Sequence, residues 1–339
     1  MRTEALPPQI LSELRARGIL PEGPAAVAPL TGGVSSDIFL VTTQGRSVVV
    51  KRALGKLRVK DDWFADVSRN RMEQSWFRHA ARVTTSVPRV LHSNPDAGWF
   101  AMEYLGAGWR PWKADLMNGE FDRAVAREAG LVLGLLHASS WGDPALEAEF
   151  DTLKSFTELR IQPYLLTTAE RVPAAAPQLR DLAAGLLRAR TALVHGDYSP
   201  KNLMVKGGAI VVLDAEVAWF GDPAFDVAFL VNHLLLKALH HAPGPLAEGA
   251  CGLVDEALAA YGTRLGERLD GEYEARIVRL VLGLMLARVH GKSPVEYLGA
   301  AKGRTVTDFV LRLLPSPPRT IRQLGDEWLL QLRRLPQSP

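Results

Sequence analysis

A short polar loop between two apolar runs carries the residues with the clearest chemical signal in this chain. His195 is followed at close spacing by Asp197 and Asn202, and the next apolar run ends at Asp214. Phosphoryl transfer requires a carboxylate beside the attacking hydroxyl, together with amide and carboxylate oxygens that hold a metal on the nucleotide phosphates. The types and spacing of these four residues therefore predict phosphoryl transfer.

Each of these four side chains has a predicted role. Asp197 is the predicted catalytic base, and the alternative of a simple turn-forming Asp is disfavoured by its polar neighbours in the motif. His195 is interpreted as a structural brace whose ring bonds to the backbone. Asn202 and Asp214 offer the hard oxygen ligands that suit Mg²⁺.

Two further acidic residues follow the loop. Glu216 lies two positions after Asp214, and alternation in an extended segment would turn both side chains to the same side. Glu216 could then support a second metal, or it could be exposed to solvent. Asp226 opens an apolar helix, where it is predicted to cap the helix N-terminus and also to brace the loop.

The first third of the chain is predicted to be a small sheet with one helix. Apolar or alternating runs predict a hairpin around Gln44–Gly45 and two more strands joined by a turn over residues 94–98. Apolar residues at helical spacing predict a helix from Asp61 to Ala81. Residues 1–105 carry 14 Lys and Arg against 10 Asp and Glu, a mild excess that suits a polyphosphate ligand.

Three features of this region could bind a nucleotide. A turn carries Gly32, Gly33 and Ser35, whose backbone N–H groups could face phosphate oxygens or could simply close a hairpin. Lys51 ends an apolar strand, either at an exposed sheet edge or as a positive charge for the phosphates. Glu73 is its best carboxylate partner, and the alternative for Glu73 is a solvated position on its helix.

The chain changes character at Gly106–Gly108, where two glycines in three residues predict a hinge. The remainder is predicted to be mainly helical. The sequence therefore predicts an α+β protein with a two-lobed layout, divided into domains 1–105 and 106–339. In the helix expected from Ser155 to Leu166, Pro163 predicts a kink or a break.

Composition limits the class of protein. The chain is 47% hydrophobic and 23% charged, which is typical of a globular protein with a core. A net charge of +3 without a basic block gives little support for nucleic-acid binding. Cys251 is the only cysteine, which excludes an intrachain disulfide. No signal peptide or spanning segment is recognised, so we expect a cytoplasmic protein that does not bind membranes, with no signal for an oligomeric state.

The motifs resemble those of the aminoglycoside phosphotransferase/choline kinase family, the small-molecule branch of the protein-kinase-like fold. His195–Asp197 with Asn202 is similar to that family's catalytic loop. Asp214 matches its metal-binding Asp, and Gly221–Asp226 matches the segment that follows. The resemblance implies a small β-rich N-terminal lobe that binds nucleotide, and a larger, mainly helical C-terminal lobe with the catalytic loop and acceptor site.

The resemblance also implies contacts in the first lobe. Lys51 and Glu73 fall where the family has its ion pair. The adenine-binding hinge would lie near residues 100–105, which implies that backbone groups of Glu103 and Leu105 contact the base. ATP and Mg²⁺ are the implied cofactors.

A narrower resemblance is to the methylthioribose kinase-like branch. Leu30–Ser35 is similar to that branch's nucleotide loop, and Val50–Leu54 with Arg58 is similar to its Lys strand and the exit from it. Asp214–Glu216 resembles its Asp-x-Glu motif. That branch grips its sugar with a tandem Arg, whereas this chain has Ala287–Arg288 at the corresponding place, which puts methylthioribose itself in doubt.

The predicted activity is ATP-dependent phosphorylation of a hydroxyl on a small molecule such as a sugar, an amino alcohol or a related metabolite. Arg288 and His233 are the candidate acceptor-binding residues, because they lie in helices that follow the loop. A charge such as Arg288 in an apolar helix needs a partner, from the protein or from a ligand.

Two kinds of alternative remain: another acceptor for a small-molecule kinase, and a protein of another class. An aminoglycoside antibiotic is the second choice of acceptor. Residues 106–339 carry 26 Lys and Arg against 27 Asp and Glu, and this balance gives no sign of a strongly acidic pocket for a polycation. A catalytically silent pseudokinase or scaffold is the alternative from another class, but the positions that it would usually lose are present. A protein kinase is disfavoured by the short stretch that follows Asp214.

Overall fold

The chain divides into two compact units. The computed structural model describes residues 5–30, 36–53 and 69–336. The first unit is Met1–Gly108 and the second is Trp109–Pro339. The boundary predicted from the glycine pair falls a few residues earlier than this division.

The first unit contains a five-stranded antiparallel sheet. Its strands lie in the order first, second, third, fifth, fourth, and the two predicted hairpins are both confirmed. The second and third strands pair up to the turn at Gln44–Gly45, where Gly45 has a φ of 77°. In chain order the strands are β1 Ala26–Pro29, β2 Ser36–Thr43, β3 Arg46–Ala53, β4 Val90–Asn94 and β5 Trp99–Glu103.

Alternation along β3 sorts its side chains between the two faces of the sheet. Val48 and Val50 are fully buried in a core that also holds Ile10 and Leu14 of helix α1, Pro8–Ala16. Because successive strand residues point to opposite faces, Lys51 projects from the other side. The sheet therefore has an apolar core under α1, and the side chain of Lys51 lies on the opposite face.

Helix α2, Arg69–Ala80, packs on the sheet through aromatic side chains. It is the described part of the helix predicted in this region, whose earlier part lies outside the described residues. Trp76 and Phe77 are buried in edge-to-face contact with ring centroids 5.7 Å apart, and Phe77 lies 6.4 Å from Phe100 of β5. Glu73 is also buried, one turn before Phe77.

Helices make up most of the second unit. Among the described helices, none combines the length and the apolar composition that crossing a membrane requires. The α-helices are α3 Trp112–Met117, α4 Arg123–Ser140, α5 Pro144–Glu149, α6 Leu153–Phe156, α7 Thr167–Arg171, α8 Ala176–Arg188, α9 Ala224–His241, α10 Pro245–Leu265, α11 Gly271–His290, α12 Ala300–Leu313 and α13 Ile321–Arg333. Short 3₁₀ helices occupy Pro173–Ala175 and Gly266–Arg268.

Five short strands support the polar loop in the second unit. β7 Ala192–Val194 pairs with β10 Trp219–Gly221 in a two-stranded sheet. The remaining strands form a three-stranded sheet in which the middle strand begins directly after the loop. They are β6 Arg110–Pro111, β8 Leu203–Lys206 and β9 Ala209–Val212, with β8 between β6 and β9.

A π-helix replaces the break predicted at Pro163. It runs over Thr157–Leu166 without interruption and contains the proline. In a π-helix each bond spans five residues instead of four, so the wider turn leaves room for the ring that would clash inside an α-helix. At its end, the hydroxyl of Thr167 donates to the carbonyl of Gln162 over 2.9 Å. Of the two outcomes predicted at Pro163, a kink or a break, the break is wrong, because the helical path is continuous.

Close approach of α4 and α10 depends on small residues. A Cβ atom placed on Gly130 would lie 2.0 Å from the backbone oxygen of Ala257, and one on Gly134 would lie 2.9 Å from that of Tyr261. Real Cβ atoms do not tolerate such distances, since protein interiors are close-packed. Glycine at these two positions therefore allows the backbones of the two helices to touch.

We expect Gly130→Ala to lower the free energy of unfolding by about 1–3 kcal/mol, because the new methyl group overpacks the contact with α10. Gly185→Ala on α8 is the matched control, since a Cβ there meets nothing within 4 Å. The control should be neutral or more stable by about 0.5–1 kcal/mol, because alanine is the better helix former. Denaturant unfolding of both variants tests this, and equal stabilities would contradict the close approach.

Candidate functional site

The polar loop is fixed at both ends by short strands. β7 ends directly before His195, and β8 begins directly after Asn202. The backbone carbonyl of Asn202 accepts a hydrogen bond from the N–H of Leu213 over 2.8 Å. This bond holds the residue that precedes Asp214 against the end of the loop.

The start of the loop is held by the carboxylate of Asp226. Its two oxygens accept hydrogen bonds from the backbone N–H groups of His195, over 2.6 Å, and of Gly196, over 2.9 Å. The side chain is fully buried. A buried carboxylate that accepts two backbone N–H bonds forms strong, charge-assisted contacts. The loop is therefore attached directly to the first turn of α9.

The capping role predicted for Asp226 is wrong. α9 begins at Ala224 after the N-cap residue Pro223, so Asp226 already lies inside the first turn. The carboxylate of Asp222 instead accepts from the N–H of Ala224 over 3.0 Å. The carboxylate of Asp226 accepts hydrogen bonds from two backbone amides of the loop and not from the N–H groups at the start of its own helix.

A buried polar chain extends from Asp226 into the helical core. Its carboxylate lies 3.3 Å from Nε2 of His137, and Nδ1 of that ring lies 3.0 Å from the hydroxyl of Tyr261. The chain ends at Tyr273, whose hydroxyl is 2.7 Å from that of Tyr261. These residues lie on α9, α4, α10 and α11, so four helices contribute to the support of one loop.

Gly196 occupies a position that other residues would strain. Its φ is 78°, in the left-handed region, and a Cβ there would lie 2.6 Å from the backbone oxygen of Val217. Glycine meets both demands because it has no Cβ. The loop can therefore pass close to the segment that follows Asp214.

Both ring nitrogens of His195 are engaged with backbone groups. Nε2 lies 3.1 Å from the carbonyl oxygen of Leu213, and Nδ1 accepts from the N–H of Asp197 over 3.1 Å. Burial lowers the pKa of His195 despite the nearby carboxylates of Asp226 and Asp197, which oppose the shift. A neutral ring that donates through Nε2 and accepts through Nδ1 fits both contacts.

Two cations hold the carboxylate of Asp197. Its Oδ2 lies 3.2 Å from Nη2 of Arg160 and 3.0 Å from Nζ of Lys201. Burial opposes ionisation, but Lys201 and Arg160 outweigh it and keep the pKa of Asp197 below its usual value. Asp197 is therefore an ionised carboxylate with a fixed orientation at neutral pH.

Sequence reasoning missed Arg160 and Lys201. Arg160 projects from the π-helix, and its Nε donates to the carbonyl oxygen of Gly196, so it contacts two residues of the loop. No local pattern pointed to it, because the helix was expected to kink or break at Pro163. Lys201 lies four residues after Asp197 inside the motif itself, a spacing that could have been used.

Asn202 and Asp214, two of the predicted metal ligands, are positioned in different ways: one by a side-chain hydrogen bond and the other by its backbone conformation. Nδ2 of Asn202 donates to the carbonyl oxygen of Asp197 over 3.0 Å, which leaves its amide oxygen as the side-chain acceptor. Asp214 has a φ of 66° and is the one non-glycine residue with positive φ in the described part of the chain. Strained backbone of this kind clusters at functional sites.

The structure contradicts the extended geometry expected for Asp214–Glu216. Asp214 is left-handed, and a turn follows in which the N–H of Ala218 donates to the carbonyl of Ala215 over 3.1 Å. Alternation therefore does not decide on which side Glu216 lies. Over the described ranges, no cluster of three His, Cys, Asp or Glu side chains could hold a metal ion.

The predicted pair of Lys51 and Glu73 is in contact. Nζ of Lys51 lies 2.8 Å from each carboxylate oxygen of Glu73, and the side chains are 4% and 1% exposed. A buried ion pair loses much hydration for its attraction and is weak evidence of added stability. Its geometry instead fixes the ammonium group at the face of the sheet opposite the apolar core.

The other first-unit candidates are only partly covered by the structure. Gly32, Gly33 and Ser35 lie outside the described residues. Glu103 ends β5 and is tied to Arg89: its N–H donates to the Arg89 carbonyl over 3.0 Å, and its carboxylate accepts from the Arg89 side chain. The predicted hinge residue Leu105 follows in an irregular, half-buried segment.

A pocket of about 180 Å³ in the second unit brings Asp197 together with both predicted acceptor residues, Arg288 and His233. Its wall includes Lys201 and charged residues from α3, α9 and the segment after α11. The ring of His233 packs edge-on against Phe229 at 5.2 Å. Burial, with Arg288 and a lysine nearby, lowers the pKa of His233 well below its usual range.

Comparison with known sequences shows the family of this chain. The model of the phosphotransferase enzyme family matches residues 26–271, and the chain belongs to that family. A methylthioribose kinase of Escherichia coli is 29% identical over 250 residues, which cover 64% of this chain and 59% of the relative. The chain thus spans about 60% of the length of the curated relatives that it matches.

Comparison with solved structures shows the fold. An amicoumacin kinase in complex with AMP-PNP, Ca²⁺ and Ami is 18% identical with a TM-score of 0.55, over 88% of this chain and 91% of that chain. A choline/ethanolamine kinase family protein from Mesorhizobium loti is 17% identical with a TM-score of 0.53, over 96% and 99%. The predicted protein-kinase-like fold, with a small β-rich lobe and a larger helical lobe, is confirmed.

We expect Asp226→Asn to lower the free energy of unfolding by about 1–3 kcal/mol, because one of two buried N–H groups would lose its acceptor. An amide side chain has a single oxygen and would turn its NH₂ group toward the other N–H. Denaturant unfolding measures the loss. Asp255→Asn, at an exposed position of α10, is the control, and an equal effect of the two substitutions would contradict the bracing contact.

Proposed function

We propose that this protein transfers the γ-phosphoryl group of ATP to a hydroxyl group of a small molecule. The observation that carries the proposal is the carboxylate of Asp197, which lines the second-unit pocket while Arg160 and Lys201 hold it in one orientation. Membership of a phosphotransferase family supports the reaction class.

Asp197 orients the acceptor and takes its proton. Its lowered pKa keeps the carboxylate ionised, so it accepts a hydrogen bond from the acceptor hydroxyl and directs the oxygen. The oxygen forms a bond to the γ-phosphorus as the bond from that phosphorus to the bridging oxygen breaks. The electron pair leaves with ADP, and the proton passes to Asp197. Since such a carboxylate is a weak base, positioning is its main contribution.

We assign the metal-binding role to Asn202 and Asp214, with Glu216 as a third candidate, and Mg²⁺ as the ion. The donors suit it, because Mg²⁺ prefers hard oxygens and is usually held by one or two carboxylates together with substrate phosphates. The amide of Asn202 already presents its oxygen as the acceptor. When bound, the ion would neutralise charge on the β- and γ-phosphates.

Lys51 is assigned to the α- and β-phosphates, with Glu73 as the group that orients it. The carboxylate contacts the ammonium group over 2.8 Å through both oxygens, so the lysine side chain is held in one position. A lysine that is already ordered loses little further conformational entropy when a phosphate binds.

The remaining nucleotide contacts are assigned to backbone groups. Gly32, Gly33 and Ser35 would cover the phosphates through their N–H groups, as in other anion-binding turns. Backbone groups at Glu103 and Leu105 would contact adenine. Because the N–H of Glu103 already pairs with Arg89, Leu105 is the better candidate for donating a hydrogen bond to the base.

A compact acceptor suits the pocket best. Its volume of about 180 Å³ is below the ~300–1,000 Å³ of pockets for drug-sized ligands. The acceptor class is therefore a sugar, an amino alcohol or a related metabolite. The relatives named methylthioribose kinase support a sugar-like compound. A multi-ring aminoglycoside is the second choice, and a silent pseudokinase is disfavoured because Asp197, Asn202 and Asp214 are all present.

We expect Asp197→Asn to lower kcat by about 10²–10⁴-fold, because the amide cannot take the hydroxyl proton. ATP affinity, measured by calorimetry, should change little because Asp197 does not bind the nucleotide in this scheme. Asp181→Asn, at an exposed position of α8, is the charge-matched control. A variant of Asp197 that keeps most of its turnover would rule out the assignment.

We expect Lys51→Met to lower kcat/KM for ATP by at least roughly tenfold, because a buried charge that meets the phosphates is lost. Glu73→Gln should act through the lysine, so the double variant should be little worse than Lys51→Met alone. The readouts are steady-state kinetics and thermal stability, with exposed Glu170→Gln as control. Fully additive effects of the two substitutions would show that Glu73 does not work through Lys51.

A further inference from the structure

The acceptor pocket has an excess of positive charge. Among its described lining residues are four cations and two carboxylates. Two of the cations already contact those carboxylates: Lys201 lies 3.0 Å from Asp197, and Lys113 contacts Glu296. The two cations without a contact to either carboxylate are Lys237 of α9 and Arg288 of α11.

Lys237 is buried without a carboxylate partner within the described part of the chain. The residue is 1% exposed, and Nζ lies 3.7 Å from the ring centroid of Tyr297. Burial, Lys113 and Arg288 lower the pKa of Lys237 to about 7, although Glu296 opposes the shift. An isolated buried ammonium group is costly. The aromatic ring offsets only part of that cost.

Arg288 also lacks a carboxylate partner among the described residues. It is 9% exposed, and Nη1 donates to the hydroxyls of Tyr164, over 3.2 Å, and Ser293, over 3.0 Å, as well as to the Ser293 carbonyl. Its Nε is buried and has no hydrogen-bond partner among the described residues. A guanidinium group presents donors in a planar fork that matches carboxylate and phosphate oxygens. In Arg288 only Nη1 is engaged by the neutral oxygens of Tyr164 and Ser293 among the hydrogen bonds described, and Nε is left without an acceptor.

The surroundings of His233 agree with a positive pocket. Its ring lies one turn before Lys237 on the same helix face, and both Lys237 and Arg288 act to keep it unprotonated. The histidine therefore adds no charge at neutral pH. The positive charge that a ligand would meet therefore comes from the lysine and the arginine.

We propose that the acceptor carries an anionic group, a carboxylate or a phosphate monoester, which binds between Lys237 and Arg288 while its hydroxyl meets Asp197. The inference rests on the proposed function, because it takes this pocket to be the acceptor site. An anion supplies the missing partner of both cations. The same charges repel a polycationic aminoglycoside, so they favour a small hydroxy acid or a phosphorylated polyol.

The test compares four compounds that share a hexose skeleton and differ in charge: gluconate, glucose 6-phosphate, glucose and glucosamine. Binding to the full chain with AMP-PNP and Mg²⁺ is measured by calorimetry at pH 6.5, and phosphoryl transfer from ATP is measured in parallel. We expect at least one anion to bind about tenfold or more tightly than glucose. The better of the two anions identifies the carboxylate or the phosphate. Equal binding of glucose, tighter binding of glucosamine or no binding of either anion overturns the proposal.

Variants of Lys237 test whether the preference for an anionic acceptor arises in this pocket. Lys237→Met keeps the apolar stem and should remove most of the advantage of the anion, whereas Lys237→Arg should retain much of it. Lys154→Met, on the exposed side of α6, removes an equal charge elsewhere and should change nothing. Thermal melting confirms that each variant is folded. An anion preference unaffected by Lys237→Met overturns the assignment.

Failure of this inference can be told apart from failure of the proposed function. Phosphorylation of glucosamine in preference to the anions, abolished by Asp197→Asn, would keep the kinase activity and reject the anionic acceptor. Anion binding that depends on Lys237, without phosphoryl transfer to any compound, would keep the anion site and reject the kinase activity.

Discussion

The buried carboxylate of Asp226 is the contact on which the conformation of the polar loop in the second unit depends. It accepts the N–H groups of His195 and Gly196 and is linked through His137 to the helical core. A loop that positions reacting groups must hold them to a fraction of an ångström, because small displacements are costly in rate. Here the loop takes that rigidity from packed helices as well as from the short strands at its ends.

Both units bury charge near residues assigned to phosphoryl transfer. In the first unit, Lys51 and Glu73 pair away from water, and in the second, Asp197 is held by Arg160 and Lys201. Such groups add little net stability, since their desolvation offsets most of their attraction. Under the proposed function, their arrangement supplies oriented charges where phosphate and hydroxyl groups would bind.

The sequence was informative where the signal is local or carried by a family motif, and less informative where distant segments meet. The hairpins and the spacing of the polar loop follow from neighbouring residues, and they were predictable. Arg160 was not, because it reaches the loop from a π-helix whose register no short pattern encodes. The direction of Asp226 depends on two amides far along the chain, and that of Glu216 on the left-handed backbone of Asp214. The unbalanced charge of the pocket likewise appears only when helices far apart in sequence converge.

The buried position of Lys237 has a consequence for the thermodynamics of ligand binding. The pKa of Lys237 is about 7, so the amine is only partly protonated at neutral pH, and a bound anion would raise that pKa toward its ordinary value. Association would then draw a proton from the buffer, so the measured heat would vary with the ionisation enthalpy of the buffer. Affinity would decline as the pH rises above 7, and the pocket would couple acceptor binding to proton concentration.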